Sequence, residues 1–317
     1  MKCFLTLSIF ALLVELSPAT ALAQDNVATQ QSDQIDAAQQ VKMPLWDGMP
    51  PGSKFQGQGD VPELTCTFVE ADQPTAAIVI LPGGGYGGHA IGHEGYEIAE
   101  WFKDRGVSSA ICTYRLRGKG NNGEGYGHPI PLRDAQRAIQ TVRANASKWN
   151  IDPERIGVIG FSAGGHLCAT VSTRYFDVDA DSDDPIDRVS SRPDFSILCY
   201  PVIAFGKPHT HQGSQRNLLG ADAEESLIAD TSGEAHVTEQ TPPTFLFHTQ
   251  ADTVVPPRNA LDYYNALIDH NVPAEMHVFP EGRHGLGLAV GKPGASEWPS
   301  LCDQWLRRLG IITSTAR

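Results

Sequence analysis

Basic residues are in short supply in this chain. Of 317 residues, 24 are Lys or Arg against 37 Asp or Glu, a formal net charge of −13. That surplus offers no attraction to nucleic acid or anionic lipid, so neither is expected as a partner. Beyond the first two dozen residues there is no long apolar run, hence no membrane span. Cysteine is sparse, six in all, without the paired spacings of a zinc site. No internal repeat is visible, which argues against a solenoid or propeller. The acidic stretch "YFDVDADSDDPIDR" lacks the sixth-position glycine and twelfth-position carboxylate of an EF-hand loop. Ser182 and Arg188 stand there instead, so the stretch reads as a solvated loop, and no metal is assigned.

What is present begins with "MKCFLTLSIFALLVELSPATALAQ". One cation (Lys2), an apolar stretch interrupted by Glu15 and an Ala-Leu-Ala ending at Ala23 make residues 1–23 a secretory signal peptide, cleaved before Gln24. The mature protein is therefore expected in the periplasm or the medium. Residues 24–44 are polar and Gln-rich, a disordered tether. An arm punctuated by Pro and Gly then brings Trp46 to the domain surface. Residues 45–313 suffice for one large domain. Cys112, Cys168 and Cys199 lie in apolar or helical runs and read as buried free thiols; one bridge stays open as an alternative in an exported chain.

From Val61 onward, strand-like and helix-like segments alternate. "ELTCTFVEA", "AAIVILPGGG", "VSSAICTYRL", "RIGVIG", "DFSILCYPVI", "PTFLFHTQ" and "AEMHVF" read as strands. "GYEIAEWFKDRG", "LRDAQRAIQTVRANASKWN", "SAGGHLCATVST" and stretches near 257–270 and 296–309 read as helices. Apolar strands without strict alternation, joined through helices, imply an α/β fold: a mostly parallel sheet with helices on both faces. Residues 205–240 interrupt the rhythm between two strands and are expected to form a lid or pocket wall.

The chemistry centres on "GVIGFSAGGHLCAT". Ser162 stands between Gly160 and Gly164, after a strand and at the head of a helix. That is the setting of a nucleophile on a tight turn, or of a turn serine with no chemistry. A hydroxyl needs a base to take its proton and a carboxylate to orient that base. Asp252 follows the strand "PTFLFHTQ", and His284 follows the last strand, between glycines. The order Ser162, Asp252, His284 is that of the α/β-hydrolases. Asp262 and Asp269 are better placed for solvent, His248 and His277 for packing within strands, and His270 for the end of a helix. The "LPGGGYGG" loop leaves a buried strand and competes between cradling phosphate and stabilising an oxyanion. No Gly-Lys-Ser/Thr follows and no helix starts on it, so the N–H groups of Gly84, Gly85 and Ala163 are assigned to an oxyanion hole.

Taken together these motifs resemble a known family. "PGGGY" is similar to the His-Gly-Gly-Gly segment of hormone-sensitive-lipase-like esterases, with Pro82 in place of the histidine. "YRLRG…HPIPLRDAQRAI", "IGVIGFSAGGHLCAT", "SSRPDFSILCYPVI", "HTQADTVVPP" and "GRHGLGL" resemble the acetylxylan-esterase-like branch of the α/β-hydrolases. The resemblance covers roughly residues 45–309. It implies Ser162 as nucleophile, His284 as base and acid, Asp252 as its orienting partner, and no cofactor. Short acyl esters are the implied substrates, above all acetyl groups on xylan or related carbohydrates. A peptidase or amidase of the same fold is the alternative; a binding protein that has lost its chemistry would be expected to lack a triad member. Tyr86 and His128 are possible pocket residues or packing residues. Asp134 is read as a carboxylate complementing a helix start, and His166 as packing.

Overall fold

The computed structural model describes residues 40–54, 60–117 and 124–313. The signal-peptide reading and residues 24–39 of the tether lie outside them. Eight strands form one sheet: β1 (Val41–Pro44), β2 (Glu63–Thr67), β3 (Thr75–Leu81), β4 (Val107–Thr113), β5 (Ile151–Phe161), β6 (Ser196–Cys199), β7 (Thr244–Thr249) and β8 (Ala274–Phe279). Their spatial order is β1-β2-β4-β3-β5-β6-β7-β8. β1 and β2 run antiparallel to their neighbours, and every pair from β4 to β8 is parallel.

β3 shows why this sequence makes a two-sided sheet. All seven of its residues are buried. Ala77, Val79 and Leu81 enter one core, while Ala76, Ile78 and Ile80 enter the other. Over the first face pack α2 (Ile130–Ala144), α3 (Ala163–Thr173) and α6 (Arg258–Asp269), through side chains such as Ile139, Leu167 and Tyr263. Over the second pack α1 (Glu97–Lys103) and α7 (Trp298–Arg308), through Phe102, Trp298 and Trp305. A strand buried on both faces needs no polar alternation, and none is present.

Several expectations change here. Val41–Pro44 is an edge strand rather than tether: Val41 and Met43 pack against the core and Leu45 is buried behind them. Four residues are too few for a legible period. α2 ends at Ala144, its cap Asn145 donating from its side chain back to the Thr141 carbonyl, and the run to residue 150 continues as turns. Pro131 lies inside the first turn of α2, where its missing N–H costs nothing. Asp134 is not at a helix start answering a dipole. It is a fully buried partner of Arg115, accepting from that residue's backbone N–H and from the Nε and Nη2 groups of its guanidinium. Trp46 sits 5.5 Å from the guanidinium carbons of both Arg115 and Arg137, pinning the arm to α2. Arg137 also pairs with Asp184 and Asp187 of the acidic loop. Cys66, Cys112, Cys168, Cys199 and Cys302 are all buried and unpaired.

Residues 205–240 contribute α4 (Gln212–Leu219), α5 (Glu225–Asp230) and one 3-10 turn, Gly233–His236. Asn217 on α4 donates to the Gly85 carbonyl at 2.8 Å, and Arg117 donates to the Asn217 carbonyl at 2.7 Å. The segment thus lies against the glycine loop.

Candidate active site

Ser162 occupies the single residue between β5 and α3. Its backbone is held at φ 53° and ψ −117°, a conformation that costs a non-glycine residue about 1–3 kcal/mol. Bonds from Ser162 N–H to the Cys199 carbonyl, and from the Val202 and His166 N–H groups to the Ser162 carbonyl, hold it there. The turn closes only because its neighbours lack side chains. A Cβ at Gly160 would lie 2.1 Å from the Gly164 carbonyl oxygen, and one at Gly164 would lie 2.1 Å from that of Leu81.

The loops after β7 and β8 deliver the partners. The Ser162 Oγ lies 2.7 Å from His284 Nε2, and His284 Nδ1 lies 2.6 Å from Asp252 Oδ2. With Nδ1 donating to the carboxylate, Nε2 is left as the acceptor for the serine proton. Asp252 is buried, and its Oδ1 accepts from the N–H groups of Val254 and Val255, each at 2.9 Å. Burial works to raise its pKa. The hydrogen bonds from His248, His284 and Val255 outweigh that and hold the carboxyl well below the usual carboxylate range. An ionised Asp252 beside a hydrogen-bonded imidazole is the arrangement that readies a hydroxyl for attack on a carbonyl.

The glycine loop faces this group. Gly84 and Gly85 adopt φ 132° and 64°, and among the described residues no protein acceptor meets either N–H. Ala163 opens α3, so its N–H has no partner within the helix. The Gly83 N–H is committed elsewhere, to Glu94 Oε2 at 2.9 Å.

The other side chains singled out from the sequence fall differently. Tyr86 is only 1 % exposed, and its hydroxyl meets His166 Nδ1 at 2.8 Å, so it belongs to the core and not to a pocket lining. Its ring is large and apolar enough to be drawn under the loop it follows. His128 borders a cavity of about 560 Å³ with Lys54, Glu124, Leu218 and Leu227, whose lining includes none of Ser162, Asp252 and His284. His166 is buried between Tyr86 and the Thr231 carbonyl and stacks on Phe205; burial pushes its pKa down to about 4. His248 is buried in β7 and donates to the Val255 carbonyl at 2.9 Å, with Asp252 3.5 Å away.

Three residues near the centre went unread. Glu94 lies in the π-helical turn Gly92–Tyr96 before α1 and is buried. Tyr200, after β6, packs against His284 in a T-shaped pair, 5.1 Å between ring centroids. His211 caps α4, with Nδ1 at 2.7 Å from Ser214 Oγ, and comes near Gly85. The Gly-His-Glu-Gly run so soon after the glycine loop was the one signal the sequence offered, and it bears on Glu94 alone.

Comparison with known proteins adds the family. The BD-FAE family model matches residues 68–267. The chain belongs to the BD-FAE family. As an α/β-hydrolase of the esterase group it has the fold that its motifs resemble. Among solved structures, an acetyl ester-xyloside bifunctional hydrolase from Caldicellulosiruptor lactoaceticus is 41 % identical with a TM-score of 0.80, covering 87 % of this chain and 98 % of its own. Endo-1,4-beta-xylanase B of Butyrivibrio fibrisolvens is 37 % identical over 73 % of this chain and 35 % of its own length. The acetylxylan esterase of Xylanibacter ruminicola is 32 % identical over 78 % of this chain and 47 % of its own. The chain therefore spans between a third and a half of these two curated relatives. The BD-FAE match includes Ser162 and Asp252 and stops short of His284.

Proposed function

We propose that this BD-FAE protein is an exported carboxylic ester hydrolase that removes acetyl groups from xylan or related carbohydrates by way of an acyl-enzyme. The observation that carries the reading is the unbroken hydrogen-bonded run from Asp252 through His284 to the Ser162 hydroxyl. In the first half-reaction His284 Nε2 takes the Ser162 proton as Oγ bonds to the ester carbonyl carbon. The N–H groups of Gly84, Gly85 and Ala163 receive the oxyanion; one such donor is worth about 3 kcal/mol of barrier. His284 returns its proton to the departing sugar oxygen, and the C–O bond breaks. Water, deprotonated by His284, then attacks the acyl-serine; His284 returns that proton to Ser162 Oγ as its bond to the acyl carbon breaks, releasing acetate and restoring the Ser162 hydroxyl. No step requires a cofactor.

The carbohydrate side of the reading rests on relatives named for acetylxylan and acetyl ester-xyloside hydrolysis. Export rests on the leader-like residues 1–23. The test is acetate release from acetylated xylo-oligosaccharides by the wild type and by Ser162→Ala, with p-nitrophenyl acetate and butyrate in parallel. The expected result is turnover of the oligosaccharide by the wild type and a loss in Ser162→Ala on the order of 10⁶-fold in kcat. Cleavage of the nitrophenyl esters alone would remove the carbohydrate assignment, and an undiminished Ser162→Ala would remove the mechanism.

A further inference from the structure

One buried network near Ser162 takes no part in the proton transfers just described. Glu94 has both carboxylate oxygens engaged: Oε2 accepts from the Gly83 N–H at 2.9 Å, and Oε1 accepts from the Tyr200 hydroxyl at 2.9 Å. The Tyr200 hydroxyl in turn accepts from the Gly287 N–H at 2.8 Å. Gly83 immediately precedes the two glycines assigned to the oxyanion, and Gly287 lies three residues beyond His284. The run Gly83–Glu94–Tyr200–Gly287 therefore joins the glycine loop after β3 to the histidine loop after β8, through a residue at the end of β6. No sheet hydrogen bond links these loops directly, because β3 and β8 are separated by β5, β6 and β7.

The fit around this run is close. A Cβ on Gly83 would lie 2.7 Å from Glu94 Oε2 and 2.9 Å from the Ser162 Cβ. A Cβ on Gly287 would lie 2.7 Å from the carbonyl of His93. Tyr200 is held at φ 36°, a left-handed conformation that a tyrosine keeps only when its surroundings require it. Its ring forms a T-shaped pair with His284, and its hydroxyl donates to Glu94. With the Gly83 amide engaged by Glu94, the free amides of the loop begin at Gly84.

We propose that Glu94 and Tyr200 are positioning residues, a buried strut that sets the spacing between the oxyanion amides and His284. The inference rests on the esterase reading above. Burial raises the Glu94 carboxyl, and the hydrogen bonds from Tyr200 and Gly83 and the neighbouring His93 and His284 act in the opposite sense. The groups around it are His93 on its own turn, Tyr114 beyond β4, and Cys199 and Tyr200 at the end of β6. Burial raises the Tyr114, Cys199 and Tyr200 groups and keeps them neutral, so they do not titrate in the working range.

The test compares Glu94→Gln, Tyr200→Phe and Ser162→Ala in the full chain. The substrate is p-nitrophenyl acetate, and active sites are counted by fluorophosphonate labelling. A misplacement of about 1 Å is worth about 10²-fold in rate, so Glu94→Gln is expected to lose about that much kcat per labelled site with KM changed less than about threefold. Tyr200→Phe removes the hydroxyl that links Glu94 to the Gly287 N–H, so it is expected to lose about tenfold in kcat, again with KM changed less than about threefold. Both variants melting lower with full kcat per labelled site would reduce the network to core packing and overturn the proposal. Should Glu94→Gln fail to fold, Tyr200→Phe decides the matter by its kcat. Full turnover in Ser162→Ala would instead bring down the esterase reading. Loss there, with both strut variants unaffected, would bring down the strut alone.

Discussion

Asp252 carries most of the electrostatic design at the residue scale. Its Oδ1 is held by two backbone N–H groups and its Oδ2 by His284, with His248 behind. An amide in its place would offer an N–H₂ where the imidazole needs an acceptor, leaving His284 in the wrong tautomer. Asp252→Asn is therefore expected to lower kcat on the order of 10⁴-fold while leaving the fold intact, measured by ester turnover and circular dichroism. The sign of its acid behaviour follows from the depressed pKa. A carboxylate with an unfolded pKa of about 3.9 contributes stability that is fully present above that pH and is lost as pH falls through the lower, folded value. The gap in urea stability between wild type and Asp252→Asn is thus expected to hold steady from pH 5 to 8 and to narrow below about pH 4. The hydrogen-bonded run of Ser162, His284 and Asp252 could be anticipated from the chain because each follows a strand, in a recognisable order, with glycines near Ser162 and His284. Glu94 and Tyr200 could not. A glutamate ahead of a helix reads as a solvated residue, and only the crossing of two loops makes its burial visible.

The turn from β5 through Ser162 into α3 shows what a single element can require. Gly160 and Gly164 are needed there for space: the Cβ positions meet backbone oxygens at 2.1 Å, and backbone cannot swing aside as a side-chain tip can. Gly160→Ala is expected to destabilise by about 3 kcal/mol or more, the upper end for overpacking, and to appear as a depressed melting temperature or loss of soluble protein. Gly88→Ala, where a Cβ meets nothing within 4 Å, is the matched control and is expected to melt with the wild type. At this scale the chain was read well wherever a segment was long and apolar. Seven strands carried the pattern; β1, four residues long, did not. The end of α2 was missed for a related reason. The polar residues from 145 onward fit a helix or turns equally well, and tertiary packing chose turns.

Across the whole molecule, histidines tie segments together and make stability depend on pH. His166 on α3 joins Tyr86 of the glycine loop to Thr231 of the 205–240 segment. His89, packed edge-on against Tyr114, lies beyond the same glycine loop. Burial lowers both to about 4. An unfolded histidine with a pKa of about 6.5 binds a proton well before either folded one does, so the unfolded state gains protons as pH falls from about 6.5 to 4. Stability is expected to decline across that window in urea unfolding. His166→Phe, which cannot take up a proton, is expected to flatten the slope, and an unchanged slope would count against the assignment.

Sequence alone determined the features that local chemistry dictates: a parallel α/β sheet from apolar strands alternating with helices, a serine on a glycine-flanked turn, and the order of its partners. It also carried the resemblance from which the esterase group follows. What only the tertiary structure decided are contacts between parts distant in the chain. Among these are the burial of Tyr86 under its own loop, the pairing of Asp134 with Arg115, the docking of residues 205–240 on Gly85, and the Glu94–Tyr200 strut. The reason is physical. A period or a turn is set by neighbours along the chain, whereas the partner of a buried polar group is chosen by which surfaces close over it, and one sequence position carries no mark of that choice.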